Sequence, residues 1–379
     1  IPTYIRADLL RESLISISRQ TRPADQVIVV DDGSTDNTAA VVQDVFREFF
    51  PGAAWPFVRY IRRETNAGKS FAVNEGIAAA EMDLIWIFDD DDIADPRRLE
   101  AVVPYFEEDP DLDVVHTDAE FRDQIDVDPD GKVSPSGWKD RSFWYAVDVP
   151  DRDRFRWFLT GNRWFGISVI WRRSILSRLS DLETAFGPGP GYFWKRTWET
   201  EEGKIHAYEN AWPFDPYLGR AQDYDFFMRL IWAGARSKAV NTTTVYARTH
   251  EGARGPGHAL KDGDAVEQAT ADAEKWIFRK IYDRVPLEAI WPEEEGLAVA
   301  YVERAYALLL RGMWEKVAAD LASVGQDVSG LRDVHIEALA RMIDATFVPP
   351  DEFPADIRPH VLKARRQAIR IRDDWKRAT

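Results

Sequence analysis

Four consecutive aspartates, Asp89, Asp90, Asp91 and Asp92, directly follow the apolar run Leu84–Phe88. A short unbroken apolar run reads as a strand buried on both faces, so the carboxylates are expected where that strand leaves its sheet. Open α/β sheets place their ligands at such carboxyl ends. Four adjacent carboxylates repel one another and are tolerated only in water or around a cation. Their oxygens suit Mg2+ or Mn2+, ions that also bind phosphate oxygens. A solvated acidic turn is the competing reading, weakened by the buried strand before it. A second acidic pair, Asp223 and Asp225, opens QDYDFFMRLIWAG (Gln222–Gly234). There Tyr224, Phe227, Met228 and Ile231 recur at helical spacing. First-turn carboxylates either complement the helix dipole, worth about 0.3–1 kcal/mol, or serve chemistry from a rigid support. Two of the six histidines, His250 and His258, lie in the glycine-rich THEGARGPGH, where ligation needs further context.

The elements that must position these groups alternate. Ile1–Tyr4 is strand-like, and Leu10, Leu14 and Ile17 line a helix ending near Gln20. Val27–Val30 is a buried strand running into DDGSTDNT (Asp31–Thr38), where Gly33 permits a tight turn. Val58–Ile61 is a third strand, followed by a glycine turn and a helix within Asn66–Ala80. After the acidic strand, Asp95-Pro96 supplies an N-cap and first-turn proline, and Pro104 is expected to kink or end that helix. Strands alternating with helices predict an α/β fold, a mostly parallel sheet with helices on both faces. Asp126–Gly137 reads as a loop, Trp164–Trp171 as a strand and Arg173–Leu179 as a helix. The aromatic-rich stretch 181–211 reads as a long ordered loop or lid, and Ala239–Arg248 as a strand. From about residue 264 the chain is alanine-rich and charged, with helical periodicity at Ala265–Val285, Gly296–Val324, Leu331–Ala345 and Pro354–Lys376. Ala305–Val324 faintly resembles one helix-turn-helix repeat of the tetratricopeptide type.

A chain of 379 residues with 45% hydrophobic side chains can bury one large or two smaller cores. Its formal charge of −16 argues against nucleic acid as the main partner, because phosphate neutralisation needs basic patches. A bound divalent cation would reverse the local sign, so an anionic substrate is compatible with this balance. The absence of cysteine excludes disulfides and fits a reducing cytoplasm. No apolar run approaches the ~20 residues of a membrane span. No signal peptide is visible, and IPTY reads as the tail of a first strand. The basic last segment, with Lys363, Arg365, Arg366, Arg370, Arg372, Lys376 and Arg377 against Asp373 and Asp374, reads first as a solvated helix face and second as a contact with a second copy, a partner or an anionic membrane face.

Six motifs together resemble a family-2 glycosyltransferase of the GT-A fold. They are IPTYIR (1–6), VIVVDDGSTDNT (27–38), NAGKSFAVNEGI (66–77), FDDDDIADPRRL (88–99), FDPYLGRAQDYDFFMRL (214–230) and RTHEGARG (248–255), in the family's order. The resemblance covers roughly residues 1–258. It implies a catalytic region over 1–263, with nucleotide-sugar binding in about 1–120 and the acceptor side in about 121–263; the helical appendage over 264–379 lies outside it.

By this resemblance Thr3, Tyr4, Arg6, Asp31 and Asp32 contact the base and ribose of a nucleotide sugar. Gly68 and Lys69 match the loop near the diphosphate. The DXD motif falls on Asp89 and Asp91, of which Asp91 is the more direct contact to Mn2+ or Mg2+. Asp90 joins the nucleotide-sugar set, and His250 matches a histidine near the metal. Asp223 matches the catalytic base, with Gln222 in place of the usual acidic neighbour. Trp164 and Asp225 are assigned to the acceptor side. Ile5 stands where asparagine is usual, and Val73 where many members have arginine. The implied reaction is inverting transfer of a sugar from a nucleoside diphosphate, UDP favoured over GDP or dTDP, to an acceptor hydroxyl in polysaccharide or glycoconjugate synthesis. A cytoplasmic enzyme, peripheral at the inner membrane face, is the expected setting. A sugar-nucleotide pyrophosphorylase would want a Gly-rich phosphate loop after the first strand, where this chain has IPTYIRADLL. A non-catalytic scaffold is disfavoured by the presence of both the DXD aspartates and Asp223.

Overall fold

The computed structural model describes every residue except 51–57, 123, 128–132, 137–142, 145, 180–196, 200–204, 208–212, 216–217, 249–262, 292–294, 329, 346–354 and 379. The chain forms two compact units, Ile1–Arg154 with Asn162–Val266, and Phe155–Gly161 with Glu267–Thr379.

In the first unit, β1 (Pro2–Thr3), β2 (Val27–Asp31) and β3 (Val58–Arg62) form a parallel sheet. Thr3 pairs with Asp31 and Asp31 with Arg62, so the three strands end level. Their turns lead into α1 (Ala7–Ser18), α2 (Thr38–Phe49) and α3 (Lys69–Ala79). The apolar spacing of α1 does what its period predicts: Leu10, Leu14 and Ile17 join Val27, Val29, Val42 and Val45 in one core.

A second sheet contains β4 (Leu84–Trp86), β5 (Ile93–Ala94) and β6 (Val114–Arg122), with α4 (Arg98–Glu108) between the last two. The strands β7 (Gln124–Val127) and β8 (Val133–Ser136) form a separate hairpin, where the polar sequence reads as a loop. A further short strand, β9 (Phe143–Trp144), pairs with β6 and is followed by α5 (Asp151–Leu159). Next come β10 (Val169–Arg172), the small hairpin of β11 (Thr197–Glu199) and β12 (Ile205–Ala207), α6 (Gln222–Trp232) and β13 (Ser237–Arg248). The strand order is β4-β10-β6-β13-β5. Only β6 and β13 run parallel along that path. The parallel character expected of the sheet thus belongs to the first three strands, and the second sheet is mixed.

Three local expectations change. Pro104 does not end α4, which runs on to Glu108; the carbonyl it strands belongs to exposed Glu100, where water can bond it. The strand expected over Trp164–Trp171 begins only at Val169, after a 3-10 turn at Gly166–Ser168. The helix expected from Arg173 covers 175–179. Beneath the second sheet lies the fully buried Arg98. Its Nη1 donates to Thr117 Oγ1 at 2.6 Å and Thr244 Oγ1 at 3.0 Å, and its Nη2 to the Ser168 carbonyl at 2.7 Å. Burial pulls its pKa down to about 9. One side chain thus ties α4 to β6, β13 and the turn before β10.

The second unit contains α7 (Gly263–Arg284), α8 (Leu297–Leu309), α9 (Trp314–Ser323), α10 (Asp333–Ala345) and α11 (Arg358–Ala378), with the first residues of α7 counted in unit one. The helical stretch Gly296–Val324 is broken between α8 and α9, where Gly312 takes φ +63. The segment 155–161, placed by sequence in the catalytic region, clusters with these helices. Arg156 pairs there with Glu295 and Glu303, and Arg304 with Asp320. No helix among the described residues is long and apolar enough to cross a membrane.

Candidate active site

Strand β2 ends on Asp31 and turns through Asp32-Gly33-Ser34. Gly33 sits at φ +84, and a Cβ there would lie 2.9 Å from the Thr65 carbonyl carbon, so glycine is required. Asp31 accepts from the Ser34 amide at 2.8 Å and the Tyr60 hydroxyl at 2.5 Å; burial, then Asp31 itself, raise the Tyr60 pKa. Asp32 accepts from the amides of Ala67 (3.0 Å) and Gly68 (2.7 Å) and pairs with Arg63 at 3.0 Å. These bonds fix the loop that starts α3, where Gly68 takes φ +101. Both aspartates, expected to contact the nucleotide, are buried and hydrogen-bonded within the chain.

The end of β1 makes an unusual turn. Thr3 is buried, Tyr4 half-buried, and Ile5 sits at φ +51, a region that strains a β-branched residue. The Ile5 amide donates to Ser34 Oγ at 2.9 Å. The turn delivers Arg6 to the acidic cluster. Its Nη1 donates to Asp90 Oδ1 and Asp91 Oδ2, each at 2.9 Å. Arg6, expected at the base and ribose, has its side chain 15% exposed and paired with two carboxylates of the acidic cluster.

The four aspartates following β4 are held in three different ways. Asp89 Oδ2 accepts from Lys69 Nζ at 2.6 Å, and Asp90 and Asp91 take Arg6. Asp92 Oδ1 accepts the Arg248 amide at 2.9 Å. Asp89, Asp91 and Asp92 each offer an oxygen within 4.8 Å of the others. Asp92 was not singled out by sequence; the run of four identical residues hid which of them a turn would bring together. His250 lies outside the described residues. Burial pushes the pKa of Asp90 up to about 6 against the pull of Arg6, and drives that of Asp92 up as well. Burial alone would lower the pKa of Lys69; the neighbouring Asp89 outweighs it and raises it.

Across the site stands Asp223, the second residue of α6. Its apolar neighbours Tyr224, Phe227, Met228 and Ile231 are buried, as their spacing predicts. Just before the helix, Ala221 takes a left-handed φ of +55. Asp223 Oδ2 accepts from the Asn162 amide at 3.2 Å, and Oδ1 from the Tyr224 N–H at 2.9 Å. Burial raises its pKa, Lys69 opposes that and Asp89 adds to it. A cavity of about 150 Å3 is lined by Lys69, Asp89, Phe165, Gly166, Phe214, Gln222, Asp223 and Phe227, among others. Gly166 leaves room there, since a Cβ would stand 3.4 Å from Asp223 Oδ2. Asn162 carries no motif and was missed by sequence.

The two residues assigned to the acceptor side, with a structural role the alternative for Asp225, are both buried. Asp225 is buried and bonded to Arg229 Nε at 2.9 Å, and Arg229 in turn donates to the Pro213 carbonyl. Trp164, 1% exposed, packs between His116 and Phe227, with ring centroids 5.3 and 5.4 Å away.

Residues 1–177 match the family described as Glycosyl transferase family 2. The glycosyltransferase YibD of Escherichia coli, whose own function is uncharacterised, is 30% identical over 175 residues, 46% of this chain and 44% of its own length. The likewise uncharacterised glycosyltransferase YwdF of Bacillus subtilis is 29% identical over 59% of this chain and 67% of its own. The match to YibD thus spans less than half of that relative. S. aureus TarS 1–349, solved in complex with UDP-GlcNAc, superposes with a TM-score of 0.51 at 19% identity, covering 100% of this chain and 90% of that one. Fold and comparisons together place the chain on the GT-A fold, with residues 1–177 similar to glycosyl transferase family 2.

Proposed function

We propose that the protein is a metal-assisted, inverting glycosyltransferase. It moves a sugar, a hexose in the first instance, from a nucleoside-diphosphate donor to an acceptor hydroxyl in polysaccharide or glycoconjugate synthesis. One observation carries this reading: Asp223 faces the same small cavity as Lys69 and Asp89, residues brought from three separate elements. A UDP-sugar is the first donor to test, since TarS, which shares the fold, was solved with UDP-GlcNAc.

The donor set suits a hard divalent ion, because three carboxylates offer oxygens close together and no softer ligand joins them among the described residues. Asp89, Asp91 and Asp92 would hold Mn2+ or Mg2+, with His250 an additional candidate. When bound, such an ion offsets the charge of the diphosphate and makes it a better leaving group. Asp223 takes the acceptor hydroxyl's proton as that oxygen attacks the anomeric carbon and the bond to the diphosphate breaks. Its buried setting raises its proton affinity and so strengthens it as a base. Asn162 and the Tyr224 N–H fix both carboxylate oxygens, and the packed apolar face of α6 fixes the helix that carries them. A single base facing away from the leaving group gives inversion, with no covalent nucleophile. Lys69 stands ready to move from Asp89 to the donor phosphates.

The last helix supplies a surface outside the chemistry. Lys363, Arg366 and Arg370 are exposed on α11, whereas Val361, Ala364, Ala368 and Ile371 are buried. That face suits a second copy of the chain or an anionic membrane surface.

A thermal-shift screen of UDP-, GDP- and dTDP-sugars with and without Mn2+ tests the reading. The matching donor stabilises the protein by about 2.7 kcal/mol at a hundredfold excess over its dissociation constant, and only with Mn2+ present. No stabilisation by any of them would contradict it.

A further inference from the structure

We propose that Arg6 and Lys69 are built-in counter-cations that hold the acidic cluster at low affinity for a divalent ion until a nucleoside diphosphate arrives. This rests on the reading of Asp89, Asp91 and Asp92 as the metal site.

Two of the three candidate ligands are already occupied by protein cations. Lys69 Nζ sits 2.6 Å from Asp89 Oδ2, and Arg6 Nη1 sits 2.9 Å from Asp91 Oδ2. Arg6 also spans to Asp90 Oδ1 at 2.9 Å, so one guanidinium compensates two neighbouring carboxylates. An ion taken up by Asp89 and Asp91 would meet two positive charges beside those carboxylates and would compete for the oxygens they hold. Attraction to the carboxylates is therefore partly cancelled before any ligand binds. A nucleoside diphosphate changes that balance by adding negative charge and offering new partners for a cation.

The two cations are mounted differently. Arg6 is 15% exposed and is set in place by the Ile5 turn, whose amide is tied to Ser34 Oγ. It is the fixed charge. Lys69 is 42% exposed on a flexible stem and opens on the cavity that Asp223 also lines. It is the movable one, free to exchange Asp89 for phosphate oxygens. Ion and diphosphate are thus expected to bind as a pair, each strengthening the other.

Mn2+ binding followed by electron paramagnetic resonance tests this without turnover. Wild-type protein should bind Mn2+ at least tenfold more tightly when UDP, or the nucleoside diphosphate found to bind, is present. With no nucleotide, Arg6→Gln and Lys69→Gln should each bind Mn2+ at least tenfold more tightly than wild type. Arg6→Lys and Lys69→Arg, which keep the charge, should behave as wild type. If Arg6→Gln does not fold, Lys69→Gln carries the test, because its side chain is half in solvent. Equal Mn2+ affinity with and without nucleotide would overturn the proposal, as would glutamine variants that bind Mn2+ no better than wild type. If wild-type protein binds nucleotide but never Mn2+, the metal reading beneath the proposal fails as well.

Discussion

Asn162 donates its side-chain amide to Asp223 Oδ2 at 3.2 Å, so the carboxylate is held from outside its own helix as well as by the Tyr224 N–H within it. A base so fixed acts in the transition state, whereas a binding residue acts in the ground state as well. Asp223→Asn is expected to keep the fold and donor affinity but to lower kcat by about 10²-fold or more with the true acceptor. The raised pKa of Asp223 adds a pH signature. The carboxylate is the active form, so kcat/KM falls as pH drops through a pKa above the ordinary 3.8, and Asp223→Asn removes that limb. Near wild-type kcat in the variant would move the base elsewhere.

Asp225, only two residues on, has a different task. Its pairing with Arg229 is buried, and removing one partner leaves an uncompensated charge in the core. Asp225→Asn should destabilise the first unit by about 3 kcal/mol or more, measured by denaturant unfolding. A soluble, equally stable variant with a raised acceptor KM would show that Asp225 binds substrate after all.

Ile5 is strained where its neighbours are not. At φ +51 and 43% exposed, it gives up backbone energy and gains little burial in return. Asparagine tolerates this conformation, so Ile5→Asn should stabilise the first unit by about 1 kcal/mol. Unchanged or lower stability would mean that the Ile5 side chain makes contacts worth more than the strain.

In the helical unit, Glu303 accepts from Arg156 Nη2 at 2.8 Å, Trp291 Nε1 at 2.8 Å and the His335 ring at 3.1 Å. Burial alone would raise its pKa; these bonds overcome burial and lower it to about 2. The stabilisation is therefore complete above the unfolded pKa near 4.5 and disappears as pH falls toward 2, amounting to at most about 3 kcal/mol. Glu303→Gln should cost stability at neutral pH, with the difference from wild type shrinking below pH 4.5. A difference that stayed constant down to pH 3 would contradict this.

What the sequence revealed follows from what is local in it. The apolar run before Asp89 and the helical spacing after Asp223 are short-range signals, and the expected strand and helix form where these signals lie. The strand Ile93–Ala94 is two residues long and carries no period. The hairpin of β7 and β8 is polar enough to read as a loop. Arg6, Asn162 and Asp92 owe their places to contacts 84, 61 and 156 residues away in the chain, which no local pattern encodes. Trp164 illustrates the converse, since nothing local in the sequence tells an exposed tryptophan from one that is 1% exposed.

The central claim is that the Asp89–Asp92 turn holds a divalent cation on a nucleoside diphosphate within reach of Asp223. Isothermal titration of UDP into wild type and Asp91→Asn, each with Mn2+ and with a chelator, tests it most directly, GDP and dTDP serving if the donor screen selects them. The account predicts Mn2+-dependent binding to wild type and none to the folded variant in either condition. Binding of equal strength with chelator present, or undiminished Mn2+-dependent binding to Asp91→Asn, would contradict it.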